Sequence, residues 1–409
     1  MYGKGSPNTD CDQIGFVLTL LLKRVSMPTD SRPRILLLIP HLGGGGAEQV
    51  TALLARGLSR GKYELHLGLV TQADAGPEPR RPGVTIHPLG AHRVRNGVFR
   101  LISLVRKLKP DVILSGMAHL NFLVLLLRPF FPPGTRILVR QNGSVSAFAG
   151  LSVYTRLLYR LLYRHADRVI CQTRAMAEEL TRELGIAEER LAVLPNPVDV
   201  EAIRATAERN PSLWISPGPH LLAVGRLSRE KGFDLLLQAL STVRERFPSA
   251  NLVIAGSGSE EAALKALCRE LGIEAAVRFA GYVDRPAAYF PGATLFVLSS
   301  RHEGLPNALL EAAAGGLPIV ALPASEGLVD LLRGRPGVWL ASEISSTALA
   351  VSLLAALEIL RQGERFAHPF IEEFRIEAAI HAYEGLIDTV LPDAESKSIR
   401  FEPRSPRLR

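Results

Sequence analysis

This sequence of 409 residues has little cysteine and no long apolar run. Its three cysteines, Cys11, Cys171 and Cys268, are widely spaced and odd in number. They therefore fit neither a disulfide framework nor a metal-binding cluster, and a reducing, cytoplasmic compartment is expected. No stretch reaches 18 apolar residues, so no membrane-spanning segment is predicted. The remaining composition, 47% hydrophobic and 22% charged residues, is typical of a soluble globular protein.

Acidic residues are scarce between residues 91 and 165, where Asp111 is the one acid among twelve basic residues. The basic residues are Arg93, Arg95, Arg100, Arg106, Lys107, Lys109, Arg128, Arg136, Arg140, Arg156, Arg160 and Arg164. Leucines and aromatic residues are interleaved with them. No nucleic-acid-binding motif accompanies this charge, so a nucleic-acid partner is not expected. Two interpretations stay open: peripheral contact with an anionic membrane, and an ordinary solvated face.

Apolar strand-like runs alternate with helical patterns along most of the chain, which predicts a parallel α/β architecture. At this length two doubly wound domains are expected, with the ligand site in the cleft between them. We predict a first domain over residues 33–204, a linker over 205–220 and a second domain over 221–370. A helix over 371–392 is expected to cross back onto the first domain. An N-terminal extension (1–32) and a disordered basic tail (393–409) complete the chain.

The segment RHEGLPNALLEAAAGGLPIVAL (301–322) carries the most chemical information. Pro306 suits the first helical position, and the glycine pair that precedes Pro318 ends the helix. The N–H groups of Asn307, Ala308 and Leu309 are then expected to be free at a positive helix end, where anions bind. Because Glu303 and Glu311 flank this point, the segment predicts a site for a nucleotide sugar. The alternative is an amphipathic helix with two solvated acids.

Four further loops follow predicted strands. HLGGGGAEQV (41–50), with Gly44 and Gly45, lets backbone approach a phosphate or sugar closely. VGRLSREKGFD (224–234) offers Arg226 and Lys231, two cations that can converge on a diphosphate. Gly256 in AGSGSEE (255–261) leaves room for a ligand, and the backbone of AGYVD (280–284) can bond to a base edge. Ordinary turn and packing roles remain the alternatives for all four.

No metal constellation is present, because the histidines are scattered and no Asp-x-Asp pair is placed to hold a divalent cation near a diphosphate. No Ser/His/Asp or Cys/His nucleophile arrangement is found either. The sequence therefore predicts neither a metal nor another cofactor.

Together these motifs resemble the retaining GT-B glycosyltransferases of family four (glycosyl transferases group 1), over roughly residues 34–390. The resemblance rests on six segments in order, which are GGGGAE (43–48), NPVD (196–199), VGRLSREKG (224–232), AGSG (255–258), FAGYVD (279–284) and SSRHEGLPNALLEAAAGGLPIVA (299–321). It implies a GT-B fold, in which two Rossmann-like doubly wound domains face each other across a cleft. It also implies metal-independent transfer of a sugar from a UDP- or GDP-linked donor.

The resemblance assigns a role to each matching residue. Arg226 and Lys231 would bind the diphosphate and stabilise its charge as it leaves, and Glu303 would hold a hydroxyl of the donor sugar. Donor-binding roles fall to Gly44, Gly45, Gly256, Tyr282, Val283, Asn307, Ala308, Leu309 and Glu311, the last of these on the ribose. The strand RILVR is followed by Gln141 and Asn142, where many members carry a histidine. Arg140 and Asn142 are then candidate contacts for the acceptor or the sugar.

The expected function is a cytoplasmic glycosyltransferase that acts on a lipid-linked or surface-polysaccharide acceptor, with peripheral contact to the inner membrane face. Two alternatives share the same fold. One is a sugar-nucleotide epimerase or phosphorylase, and the other is a catalytically silent subunit that serves a partner transferase.

Overall fold

The computed structural model describes residues 32–43, 45–71, 83–143, 153–209, 212–214, 217–361 and 363–391. The predicted N-terminal extension, apart from its last residue, and the basic tail lie outside these residues, as does Gly44. Within the described residues the chain forms two parallel sheets, each covered by helices on both faces. The predicted α/β class is thus confirmed.

The first sheet has seven parallel strands in the order β3-β2-β1-β4-β5-β6-β7. They are β1 (Arg34–Ile39), β2 (Glu64–Thr71), β3 (Val84–Ala91), β4 (Val112–Ser115), β5 (Arg136–Arg140), β6 (Arg168–Cys171) and β7 (Leu191–Val193). The intervening helices are α1 (Gly46–Gly57), α2 (Val98–Leu108), α3 (Ala118–Leu126), α4 (Val153–Tyr163) and α5 (Arg174–Leu184). The side chains of β1 after Arg34 are buried, as expected of a strand that is covered on both faces.

The second sheet has six parallel strands in the order β10-β9-β8-β11-β12-β13. They are β8 (His220–Val224), β9 (Asn251–Ala255), β10 (Val277–Gly281), β11 (Leu295–Leu298), β12 (Ile319–Ala321) and β13 (Val338–Leu340). The helices of the second half are α6 (Val200–Arg209), α7 (Phe233–Arg246), α8 (Glu261–Glu270), α9 (Asn307–Ala314), α10 (Glu326–Leu332), α11 (Ser346–Ile359) and α12 (Ile376–Val390). In both sheets the strand order reverses beside the first strand of the domain, which places ligands at the carboxyl ends nearby.

One helix does not follow the predicted domain limits, and another crosses between the domains as predicted. Helix α6 runs through residue 204 into the predicted linker, and its apolar side packs in the core of the second sheet. The Arg204 side chain also donates to the carbonyl of Ala314 at 3.1 Å. Helix α12 packs on the first sheet, where Ile380, Tyr383 and Ile387 share a core with β1 and α1. Each helix therefore packs on the sheet that buries its apolar side, although most of the residues of that sheet lie on the other side of a predicted domain limit.

Candidate active site between the two sheets

Lys231 and Glu303 form an ion pair at the carboxyl ends of β8 and β11. These strands are neighbours in the second sheet, with Leu221 beside Leu295, so the loops that follow them meet. The Lys231 Nζ atom lies 2.6 Å from Glu303 Oε1, and the Ser300 hydroxyl donates to the same oxygen at 2.6 Å. The two ionic side chains are 22% and 10% exposed, which makes their interaction stronger than that of a surface pair.

A second ion pair, between Arg301 and Asp234, also joins the loops after β8 and β11. Arg301 binds both carboxylate oxygens of Asp234, at 2.7 and 2.6 Å, and donates to the carbonyl of Arg229 at 2.9 Å. The Arg301 guanidinium holds the pKa of Asp234 below its usual value, mainly through these hydrogen bonds. This bidentate pair positions the loop that carries Lys231, and we did not predict it from the sequence.

Helix α9 begins at Asn307, and Pro306 is its N-cap, with extended backbone, rather than its first helical residue. The N–H of Leu309 donates to the Pro306 carbonyl at 3.1 Å. The expectation of three free amides is therefore corrected to two: the Leu309 N–H closes a tight turn onto the carbonyl three residues before it, and no described residue accepts from the N–H groups of Asn307 and Ala308. Both residues are partly exposed at the positive end of the helix.

Glu311, one turn further along α9, is buried and bonded to the first domain. Its Oε1 atom accepts a hydrogen bond from Gln49 Nε2 of α1 at 2.5 Å. Burial raises the pKa of Glu311 to about 7, and the bond from Gln49 opposes this shift. The carboxyl assigned to the ribose thus lies at the contact between the two sheets.

The raised pKa of Glu311 predicts a pH dependence of stability. Between about pH 4.5 and 7 the folded chain keeps a proton that the unfolded chain has lost, so stability decreases as the pH rises through this window. Relative to Glu311→Gln, the free energy of unfolding of the unmodified chain should decrease by about 3 kcal/mol over this interval. Urea denaturation from pH 4.5 to 8 measures the difference, and parallel curves for the two chains would contradict the assignment.

Arg226 lies in the same loop as Lys231, whereas Tyr282 and Val283 lie in the loop after β10. The side chain of Arg226 is 72% exposed, and its nearest acid is Glu230, at 3.5 Å. Tyr282 is 55% exposed, whereas Val283 packs against the core around α9. Burial raises the pKa of Tyr282, and the charges of Asp284 and Glu48 add to the shift. Because Glu48 belongs to the first domain, this part of the pKa shift arises across the contact between the two domains.

Gly256 has a role in packing. Its φ of +155° is a conformation that only glycine adopts readily, and its N–H donates to the carbonyl of Gly281 at 2.7 Å. A Cβ atom on Gly256 would lie 1.8 Å from the carbonyl oxygen of Gly225. The glycine therefore allows the loops after β8, β9 and β10 to stack closely.

Arg140 and Asn142 belong to a hydrogen-bond network that crosses between the sheets. Arg140 is 2% exposed and donates to Tyr383 at 3.2 Å and to the side-chain oxygens of Asn142 and Asn196. Asn196 in turn donates to the Asn307 side chain at 2.7 Å. Asn307 closes the connection by donating to the Gly46 carbonyl at 2.9 Å. The guanidinium of Arg140 thus holds other side chains in place.

Sequence reasoning missed Gln49, Gln172 and Asn196, which join the two halves, and Arg301, which holds the loop that carries Lys231. Asn196 belongs to the NPVD segment, which carries part of the family resemblance but to which we assign no role from the sequence. Gln172 accepts the N–H of Leu305 at 2.8 Å. The available signal was a set of polar residues at strand ends of the first domain, which parallel topology places at one edge.

Metal-binding clusters and membrane spans are both absent from the described residues. No group of three or more His, Cys, Asp or Glu side chains there could hold a metal ion. No helix there is both long enough and apolar enough to cross a membrane.

Two parallel sheets with a cationic and carboxylate site at their facing strand ends define a GT-B glycosyltransferase. The family model described as "Glycosyltransferase Family 4" matches residues 44–202, and "Glycosyl transferases group 1" matches residues 205–367. The chain belongs to this glycosyltransferase family and is a transferase enzyme.

Curated relatives agree with the assignment. The chain is 30% identical over 302 residues to the lipopolysaccharide core biosynthesis glycosyltransferase LpsE of Rhizobium meliloti, covering 73% of this chain and 85% of that protein. It is 28% identical over 308 residues to a Campylobacter jejuni diphospho-undecaprenol 4-alpha-N-acetylgalactosaminyltransferase, covering 72% and 81% of the two chains. Against an uncharacterized glycosyltransferase of Methanocaldococcus jannaschii, at 25% identity, the match covers 59% of this chain and 62% of that protein.

Solved structures show the same fold. Sucrose-phosphate synthase from Thermosynechococcus elongatus superposes with a TM-score of 0.72 at 19% identity, covering 87% of this chain and 98% of that one. Anabaena HepE in complex with UDP and glucose superposes with a TM-score of 0.65 at 18% identity, covering 87% and 96%. The predicted GT-B architecture is confirmed.

Proposed function

We propose that this enzyme transfers a sugar, with retained anomeric configuration, from a UDP- or GDP-linked donor to a lipid-linked or surface-polysaccharide acceptor. The observation that carries the proposal is the Lys231–Glu303 pair beside the free amides of Asn307 and Ala308. A part-buried ammonium and a helix N-terminus both stabilise negative charge on a departing diphosphate. The Glu303 oxygen Oε2 is then assigned to a hydroxyl of the donor sugar.

The remaining donor contacts follow from position. Arg226 is exposed, so its guanidinium can turn toward the diphosphate without breaking a buried contact. Glu311 is assigned to the ribose hydroxyls, in exchange for the bond to Gln49. The remaining donor-binding residues are Gly44, Gly45, Gly256, Tyr282, Val283 and Leu309, with Tyr282 and Val283 assigned to the base. Asn142 and Arg140 are assigned to the acceptor side, where Arg140 acts by holding Asn142.

The transfer step needs no imidazole and no metal in this proposal. The bond from the anomeric carbon to the diphosphate oxygen breaks while the acceptor oxygen bonds to the same face of that carbon. The acceptor proton passes to the departing phosphate oxygen. Lys231, Arg226 and the helix amides balance the charge that develops on the diphosphate. No further cofactor is required.

Two relatives support the substrate classes. Anabaena HepE forms a complex with UDP and glucose, and the name of the Campylobacter jejuni relative includes a diphospho-undecaprenol acceptor. With a lipid-linked acceptor of this kind, the enzyme would act at the cytoplasmic face of a membrane.

A donor screen tests the proposal. UDP- or GDP-sugar should raise the melting temperature of the chain, because binding to the native state alone stabilises it. Glu311→Ala should weaken donor binding by about 10- to 100-fold, since it removes a charge-assisted hydrogen bond. Arg226→Ala should weaken it by about tenfold. Isothermal calorimetry measures both effects, with Glu178→Ala and Arg246→Ala, two exposed positions, as matched controls.

Turnover separates the alternatives. A transferase releases nucleotide faster when an acceptor glycoside is present, whereas an epimerase or phosphorylase acts on the donor without one. Donor binding without any turnover would indicate the silent subunit. Unchanged binding in both Glu311→Ala and Arg226→Ala would contradict the donor assignment.

The proposed membrane contact is assigned to the outer helix layer of the first domain. Helices α2 to α5 pack on one face of the first sheet, and their outer side carries exposed apolar residues between the basic ones. These apolar residues are Phe99, Leu126, Phe130, Tyr154, Leu157, Leu158 and Leu161, each more than 40% exposed. Such a mixture of arginine and apolar side chains is typical of surfaces that bind an anionic bilayer.

Vesicle binding tests this surface. The triple variant Arg156→Gln, Arg160→Gln and Arg164→Gln should bind vesicles of 30% phosphatidylglycerol at least tenfold more weakly than the unmodified chain, at about 1 kcal/mol per arginine. Binding should also decrease as salt rises. Cosedimentation measures both effects. The control is a triple variant of the second domain, which combines Arg246→Gln, Arg269→Gln and Arg335→Gln. Equal binding to neutral vesicles would contradict the electrostatic account.

A further inference from the structure

The side chains of His41 and Glu48 fold back over the glycine loop before α1. A Cβ atom on Gly45 would lie 2.3 Å from Glu48 Oε2, and one on Gly43 would lie 2.7 Å from His41 Nδ1. Side chains at either position would displace Glu48 or His41. The glycines therefore leave room for these two side chains. This role is separate from the close approach of backbone to a phosphate that we predicted for the loop.

Glu48 is a mostly buried carboxylate in the first turn of α1, where the positive end of the helix favours its charge. The residue is 8% exposed, and the nearest basic group to Oε1 is His41 Nδ1 at 3.9 Å, beyond hydrogen-bond distance. That nitrogen already accepts the N–H of Gly43 at 3.0 Å, so it offers Glu48 no proton. No described residue donates a hydrogen bond to the Glu48 carboxylate. The carboxylate oxygens therefore keep acceptor capacity for a hydroxyl donor of a ligand.

The groups around Glu48 come from both domains and can form hydrogen bonds. His119 lies in the first turn of α3, which follows β4, and β4 is the neighbour of β1, so His119 and Glu48 begin helices at the same edge of the first sheet. Burial, as the main cause, lowers the pKa of His119, which favours the neutral imidazole with one donor and one acceptor nitrogen. The charge of Glu48 is among the causes that raise the pKa of Tyr282 in the second domain.

The position of Glu48 along α1 places it at the reaction site. Its neighbour Gln49 bonds to Glu311, and Gly46 bonds to Asn307, both in the second domain. Glu48 therefore lies between two residues that contact the helix assigned to the donor. It is also on the first domain, where acceptor groups are expected.

We propose that Glu48 and His119 bind the hydroxyl-bearing end of a saccharide acceptor, with the Glu48 carboxylate accepting a hydrogen bond from the attacking hydroxyl. This inference rests on the proposed transferase function. The hydroxyl proton still passes to the departing phosphate oxygen as the new glycosidic bond forms, so Glu48 orients the hydroxyl and takes up no proton. A neutral His119 donates to, or accepts from, a neighbouring hydroxyl of the same sugar.

The test uses the full chain and the variants Glu48→Gln, Glu48→Ala and His119→Asn. A panel of p-nitrophenyl glycosides serves as the acceptor probe, and UDP and GDP serve as donor-site probes. We expect the Glu48 variants to lower acceptor-dependent nucleotide release about 10- to 100-fold. The dissociation constant of the bound nucleotide and the slow hydrolysis of the donor by water should stay within threefold. His119→Asn should mainly raise the acceptor KM.

Controls separate this site from a general loss of structure. Glu178→Gln, at an exposed position on α5, should leave all three measurements unchanged. Isosteric Glu48→Gln keeps the packing, so its melting temperature should match that of the unmodified chain. Acceptor-dependent release within threefold of normal in Glu48→Gln would overturn the assignment, as would an equal loss of nucleotide binding. If the unmodified chain binds neither nucleotide, the proposed function itself fails, and this inference fails with it.

Discussion

Lys231→Ala should lower kcat by about 100- to 1,000-fold, the largest functional effect that we expect of a single substitution. The Lys231 side chain is 22% exposed, and its ammonium lies 2.6 Å from Glu303 Oε1. In such a part-buried site a positive charge stabilises a leaving diphosphate much more than it would in water. Single-turnover rates under saturating donor measure the effect, so that weaker donor binding is not counted as slower chemistry.

Lys231→Ala also leaves the Glu303 carboxylate without its cation, which could lower the rate by itself. The double variant Lys231→Ala with Glu303→Gln removes that orphaned charge and isolates the contribution of the ammonium. Lys265→Ala serves as the control, because this lysine is 48% exposed and pairs with Glu261 on the outer helix α8. A loss below tenfold in Lys231→Ala would exclude Lys231 from charge stabilisation.

Gly256→Ala should destabilise the chain by more than about 3 kcal/mol, the largest stability effect that we expect. Two costs combine, since alanine is strained at a φ of +155° and its Cβ would lie 1.8 Å from the Gly225 carbonyl oxygen. Neither neighbour can yield easily, because Gly225 bonds to the carbonyl of Ala255 and Gly256 to that of Gly281. Urea denaturation at constant pH measures the loss.

Gly272→Ala separates the two costs. Gly272 also has a positive φ, +66°, but a Cβ atom there would meet nothing within 4 Å. It should therefore cost only about 1 kcal/mol, the penalty for the left-handed conformation. A Gly256→Ala variant as stable as Gly272→Ala would show that the loops after β8 and β9 can separate without cost.

The strands of both domains could be predicted because their apolar runs are short and separated by turn or helical segments. We predicted strands over VRFAGY (277–282) and LFVLSS (295–300), for example, and β10 and β11 lie within them, ending one and two residues earlier. The elements that we did not predict include β13 and α11. Strand β13 has three residues and is only partly buried, whereas α11 is apolar on nearly all sides and shows no amphipathic pattern.

The positions of the residues that we assign to the donor could be predicted because they are close together in sequence. Asn307 and Glu311 lie one turn apart on α9, and Glu303 lies in the loop just before that helix. The bond from Gln49 to Glu311 could not be predicted in this way, since 262 positions separate the two residues. The same holds for the link from Asn196 to Asn307.

The sequence by itself determined the α/β class and the two-sheet organisation, predicted that the last helix crosses back onto the first domain, and indicated the residues that we assign to a nucleotide diphosphate, because each depends on periodicity or on groups close together in the chain. Only the tertiary structure decided that α6 packs on the second sheet and that Gln49 and Asn196 bond across the two halves. It also placed the Glu48 carboxylate 3.9 Å from His41. Such contacts depend on which side chains burial brings together from distant positions, and local patterns do not encode this.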